Sequence, residues 1–236
     1  VFAESVRDTA LLTHAARRAL RVGKPIVLLK VGRSEITVQA AQSHTGSLVG
    51  DDSVFDGVCQ QLGLVRVRSI EELMFTAALL EKTGVLQGEG VAVLSASGGM
   101  GELAADYADL EGVDLPRLAA GTLAALSSTL PPMATPANPL DLTGAVVNKP
   151  ELFLDCMQAL EQDPAVSVLV CVFDVPTDLN NDWAPFAVGS LQAIGRFKPE
   201  GRVRFLAISN TVKYVSDSSR AEVEAAGMPY LPCGLD

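Results

Sequence analysis

The chain has 236 residues, 48% of them apolar, 5% aromatic and 19% charged, with a formal charge of -10 at pH 7. That size and composition fit two ordinary α/β domains, and the acidic balance argues against a nucleic-acid footprint, which needs clustered Lys and Arg. No apolar run reaches the length of a membrane span and no signal-peptide pattern opens the chain, so a soluble, unsecreted, cytoplasmic protein is expected.

Val1-Phe2-Ala3-Glu4 reads as the tail of a strand ending in a carboxylate, a start that looks truncated. Leu11, Leu12, Ala15, Ala16, Ala19 and Leu20 then recur at helical spacing, and Gly23 with Pro25 supplies the stop. Arg17, Arg18, Arg21 and Lys24 are the densest basic group and suit the exposed face and C-terminal end of that helix. Ile26 to Val31, broken only by Lys30, has the continuous apolar character of a strand buried on both faces of a parallel sheet.

That strand delivers the chain into VQAAQSHTGSLVGDD, Val38 to Asp52, with His44 at its centre. His44 is one of two histidines in the chain, and it sits among Ser43, Thr45, Gly46, Ser47 and Gly50, a composition that makes a close-approach loop. A neutral imidazole there can act as a base, a metal ligand or a covalent phosphoryl carrier, and the loop alone leaves all three open beside a plain surface histidine. His14, the other histidine, falls on the solvated side of the first helix.

Asp51 or Asp52 caps a helix running to about Leu62, with Gly63 as its stop, and Leu64 to Val67 forms a short strand. Ser69 with Glu72 is a capping-box pair opening a helix to about Lys82. Gly84, Gly88 and Gly90 punctuate a linker, placing the domains at residues 1–82 and 83–236.

Val91 to Leu94 is a buried strand feeding Ser95-Ala96-Ser97-Gly98-Gly99-Met100-Gly101 and a helix to about Glu111. Free amides and the positive dipole end at such a turn suit an anion, and glycines let it approach the backbone. Gly99 to Ala104 satisfies GxGxxA, but no acidic residue follows at the distance a dinucleotide fingerprint needs, and tight strand-to-helix packing alone would also call for glycines. Four prolines make Leu130 to Gly144 an ordered loop. A helix over about Pro150 to Gln162 and a strand over Val166 to Phe173 follow, then a loop, Asp174 to Asp182, in a ligand-crevice position. A helix marked by Leu191, Ile194 and Phe197, a strand over Phe205 to Ser209 and a helix over Ala221 to Ala226 complete a second α/β layer. Cys59, Cys156, Cys171 and Cys233 show no CxxC spacing and read as reduced core thiols, and no zinc site is expected.

Glu4, Lys30 to Glu35, Ser43 to Gly50, Glu71-Glu72-Leu73, Ser97 to Gly101 and Asn138 to Gly144 together resemble the NDP-forming acyl-CoA synthetases, relatives of succinyl-CoA synthetase. The resemblance implies two tandem flavodoxin-like, doubly wound CoA-ligase domains, the first lacking its N-terminal half. It implies that His44 is phosphorylated, that Glu4 holds its imidazole, and that Ser97, Gly98 and Gly99 cradle the phosphoryl group, with no metal at the site. It also implies interconversion of acyl-CoA, ADP and phosphate with carboxylate, CoA and ATP. CoA, ATP or ADP and Mg would be bound by CoA-binding and ATP-grasp domains on the same chain or a partner subunit, in an oligomer, so this core fragment should not turn over alone. Two other readings stay open at this point: a synthetase-like regulatory module of a protein acyltransferase, and a flavodoxin-like nucleotide-binding domain.

Overall fold

The computed structural model describes residues 1–34, 36–37, 51–86, 88–179, 182–211 and 214–235. They divide into two compact units, Val1–Val85 and Leu86–Asp236.

In the first unit, β1 (Phe2–Ala3), β2 (Ile26–Lys30) and β3 (Leu64–Val67) form a parallel sheet in that order. Alternation along β2 sends Leu28 to one face, where it meets Ala16 of α1 (Thr9–Arg21) with Cys59 and Leu62 of α2 (Asp52–Leu62). Val27 and Leu29 point to the other face, with Val67, Leu73 and Leu80, the last two from α3 (Ile70–Thr83). A central strand covered on both sides has to be apolar throughout, which is why the run reads as continuous rather than alternating. Side chains set the helix ends. Asp8 accepts from the Leu11 amide at 2.8 Å, Asp51 from Ser53 at 2.8 Å, and Ser69 from Glu72 at 3.0 Å. Asp51, not Asp52, is thus the cap of α2. Glu72 takes the Arg68 amide at 2.7 Å, one residue short of the reciprocal bond that a capping box predicts. Gly63 closes α2 at φ 63°, in the left-handed region.

The second unit is a five-stranded parallel sheet in the order β5-β4-β6-β7-β8. Its strands are β4 (Val91–Ser95), β5 (Leu140–Asp141), β6 (Val168–Val172), β7 (Arg204–Ile208) and β8 (Tyr230–Leu231). The helices between them are α4 (Gly98–Glu111), α5 (Ala120–Thr129), α6 (Glu151–Glu161), α7 (Ala184–Gly195) and α8 (Asp217–Ala226). The chain steps from β4 outward to β5 and then back across β4 to β6, so this is a doubly wound, flavodoxin-like sheet. The reversal opens a crevice at the carboxyl ends of β4 and β6. Leu94, Leu140, Phe153, Met157, Leu169 and Ile194 are fully buried in one core cluster, while Val93, Ala104 and Val172 belong to another. Each such side chain contributes about 2 kcal/mol of burial.

Three elements depart from the sequence reading. The proline-rich stretch does carry a strand, β5, but it is two residues long, starts only after Pro139 and lies at the sheet edge, where Pro is tolerated. Asn138 substitutes for the ladder that the prolines cannot make. Its Oδ1 accepts from the Val93 amide at 3.0 Å and its Nδ2 donates to the Val91 carbonyl at 2.9 Å. The second departure, α5, has no capping side chain of its own; the Ala119 amide instead donates to Asp163 at 2.7 Å. The third is β8, a two-residue edge strand beside β7.

Candidate functional site

His44, Ser43 and the rest of residues 38–50 lie outside the described residues; the surroundings of the two ends of that segment belong to the first unit, and the glycine turn belongs to the second.

Glu4 directly follows β1, is exposed, and stands at the carboxyl edge of the first sheet. The Val31 amide donates to the Ala3 carbonyl at 3.0 Å, and Ala3 is in register with Lys30. Glu4 therefore sits at the same sheet edge from which the chain departs toward His44, as the sequence suggests. His14 is exposed on α1.

A charge cluster that the sequence did not disclose lies at the same edge. Asp52, the first residue of α2, faces three cations: Lys30 Nζ at 3.8 Å, Arg33 Nε at 3.4 Å and Arg66 Nη2 at 2.5 Å. Arg66 also bonds the Asp52 carbonyl at 3.2 Å and pairs with Asp56, and Lys30 and Arg66 both stand over the Phe55 ring, at 5.3 and 5.0 Å from its centre. Burial of Arg66 opposes its charge, but hydrogen bonds to Asp52 and Asp56 outweigh that and raise its pKa above the ordinary arginine value. The Ser53 hydroxyl and the Ser53 and Val54 amides hold the Asp51 carboxyl below the usual range. Arg33 before the unassigned stretch and Asp52 after it are thereby joined. No pattern in a single sequence marks such a pair, because its members are brought together only when α2 docks on β3.

In the second unit, Ser97 is the N-cap of α4 and makes no side-chain cap bond. The first amides to bond back to it are Met100 at 3.1 Å and Gly101 at 3.2 Å, which leaves the Gly98 and Gly99 amides ahead of the helical ladder and available to an anion. The three glycines differ in what they are for. A Cβ on Gly98 would stand 2.9 Å from Asp141 Oδ2, and one on Gly101 would stand 3.2 Å from Pro139 Cβ, whereas one on Gly99 meets nothing within 4 Å. Gly98 and Gly101 thus stand close to neighbouring side chains, the apparent GxGxxA glycine at 101 against the proline loop. Gly99 alone faces open space. Asp141, unassigned in the sequence reading, braces the turn: its Oδ1 accepts from the Thr143 amide at 2.7 Å and holds Thr143 at φ 59°.

Three of the four cysteines are core thiols disfavoured as thiolates. Cys59, Cys156 and Cys171 are buried, none of the four is in a disulfide, and burial pushes the Cys156 thiol up to about 12 and raises the other two. No helix among the described residues is long and apolar enough to cross a membrane.

A doubly wound parallel sheet with a glycine turn at its switch point defines a flavodoxin-like domain. The comparisons are more specific: residues 1–80 match the family described as succinyl-CoA ligase like flavodoxin domain, and over most of its length the chain is similar to ADP-forming ligases. It is 30% identical over 229 residues to the alpha subunit of ADP-forming acetate–CoA ligase II of Pyrococcus furiosus, covering 97% of this chain and 49% of that one. It is 32% identical over 170 residues to a trans-feruloyl-CoA synthase of an unknown prokaryotic organism, covering 72% of this chain and 24% of that protein. The acetyl-coenzyme A synthetase 1 of Ca. Korarchaeum cryptofilum, solved with phosphate and ADP, shares the fold at a TM-score of 0.74 and 24% identity, over 98% of this chain and 48% of that one. The chain therefore spans half or less of the length of these relatives.

Proposed function

We propose that this chain is the phosphoryl-carrying core of an NDP-forming acyl-CoA synthetase, with His44 as the covalent carrier. The observation that supports this most directly is the position of Glu4 at the sheet edge where β2 hands the chain on toward His44. A carboxylate accepting one ring N–H fixes the imidazole tautomer and raises the nucleophilicity of the other nitrogen. In the proposed sequence, a phosphate oxygen attacks the thioester carbonyl and displaces the CoA thiolate, giving an acyl phosphate. The free imidazole nitrogen of His44 then attacks phosphorus and releases the carboxylate, and the phosphohistidine passes its phosphoryl group to ADP. Ser97, Gly98 and Gly99 supply amide donors for the roughly two negative charges so placed, which asks for no metal from these residues. CoA, nucleotide and Mg are assigned to CoA-binding and ATP-grasp domains, fused or on a partner subunit, in a cytoplasmic oligomer.

Labelled ATP given to the full-length enzyme should leave a label that is lost in acid and stable in base. His44→Ala should abolish it and His14→Ala should leave it, because loss of a covalent carrier breaks the reaction rather than weakening one contact. Glu4→Gln should fold normally and slow labelling by about a hundredfold. Acid-labile label persisting in His44→Ala would sink the mechanism.

A further inference from the structure

The first unit contains a cleft of about 430 Å³ between α1 and α2, at the carboxyl edge of its sheet. That volume falls within the range of about 300–1,000 Å³ typical of small-molecule sites. Phe55, Val58 and Leu62 form its apolar wall, Thr9 lies on the α1 side, and Lys30 closes one end. Ser5, the neighbour of Glu4, also lines it.

Lys30 is the unusual member. It is only 4% exposed, yet among the described residues its ammonium has one hydrogen bond, a long one of 3.3 Å to the Val31 carbonyl, and a loose ion pair of 3.8 Å with Asp52. An ammonium has three donors, and a charge this deep is costly unless it is well met. Asp52 is at the same time held more closely by Arg66, at 2.5 Å, so it cannot answer Lys30 fully. The Phe55 face at 5.3 Å supports the cation without using up a donor. A buried cation with donors left over among the described residues, in a cleft whose lining joins an apolar wall to the charged Arg17 and Asp51, fits an organic anion with an apolar body held on the cationic side.

We propose that this cleft binds the acyl substrate: a carboxylate larger than acetate, its carboxyl group on Lys30 and its aliphatic or aromatic body against Phe55, Val58 and Leu62. Naming the ligand as the acyl substrate rests on the synthetase reading; the site as an organic-anion site does not. Acetate has no body to occupy the wall, so the cleft selects against it.

The test is equilibrium binding of acetate, hexanoate and phenylacetate to the full-length enzyme. Hexanoate and phenylacetate should bind at least about a hundredfold more tightly than acetate, since each added methylene in an apolar pocket is worth about tenfold or more. Val58→Trp, which fills the cleft from a half-buried position, should lower their affinity at least about tenfold. Lys30→Met should do the same for both acids. Because Lys30 also pairs with Asp52, loss of folding in that variant leaves the decision to Val58→Trp. Equal affinity for acetate and phenylacetate, or phenylacetate binding unchanged in Val58→Trp, overturns the site. Selective, Val58-dependent binding in an enzyme that gives no acid-labile label at His44 would keep the anion site and overturn the synthetase reading instead.

Discussion

Gly98 and Gly99 are adjacent and chemically identical, but the protein uses them differently. Alanine at 98 must push the Asp141 carboxylate aside while its other oxygen is held at 2.7 Å by the Thr143 amide, so Gly98→Ala should cost about 1–3 kcal/mol. A Cβ at 99 meets no neighbouring element within 4 Å, and valine is no worse than glycine in a helix, so Gly99→Val should leave the unfolding free energy within about 1 kcal/mol of the parent. It should nonetheless slow phosphoryl transfer in the full-length enzyme by about a hundredfold, because the added methyls would occupy the space in which an anion approaches the free amides. A Gly99→Val enzyme with full activity would remove Gly99 from the proposed anion site. The pair of variants thus separates stability from chemistry one residue apart.

At the scale of elements, β4 shows how the second sheet tolerates a proline-rich neighbour. β5 is in register only with Leu94 and Ser95, and over the rest of β4 the Asn138 side chain supplies the edge bonds, to the Val93 amide and to the Val91 and Pro116 carbonyls. Asn138→Ala would strip three partly buried backbone groups of their partner, for a cost of about 3 kcal/mol. The check is a urea titration followed by the fluorescence of Trp183, the single tryptophan of the chain, which lies in the second unit. The midpoint should fall with an unchanged slope, whereas an unchanged midpoint would show that water replaces the amide without loss.

At the scale of the whole molecule, Asp163 is the residue through which pH acts on the second unit. It is fully buried and accepts from the Ala119 amide at 2.7 Å and the Ala165 amide at 2.9 Å. Burial works to raise its pKa, but these bonds, with Thr122 and the charge of Arg202, outweigh it and leave the carboxyl below its ordinary value. A carboxylate whose folded pKa lies below the unfolded value of about 3.9 contributes stability that is complete above about pH 5. That contribution is lost as pH falls through 4 toward the folded pKa. Asp163→Asn should therefore cost about 3 kcal/mol at pH 7 and flatten the acid limb of stability against pH. A variant whose acid limb matches that of the parent would remove Asp163 from this role.

Local rules settled much of this protein in advance. The apolar runs at Ile26 and Val91, the caps at Asp51 and Ser69, the glycine stop at 63 and the strand-turn-helix at Ser97 are all readable from neighbours in the chain, because hydrogen bonds within a few residues and burial on both strand faces dictate them. What the sequence could not disclose depends on groups far apart. Helix α5 is rich in small and hydroxyl residues and is capped by a carboxylate 44 residues further on. Asn138 completes a strand 45 residues before it, and Asp52 gathers Lys30, Arg33 and Arg66 from two separate stretches. Such partners are chosen by the packing of one element on another, and no periodicity along the chain records that choice. The candidate site divides the same way: the amino-acid sequence by itself singled out His44, Glu4 and the glycine turn, while only the tertiary structure decided which glycine is free and left a buried lysine at the end of a cleft.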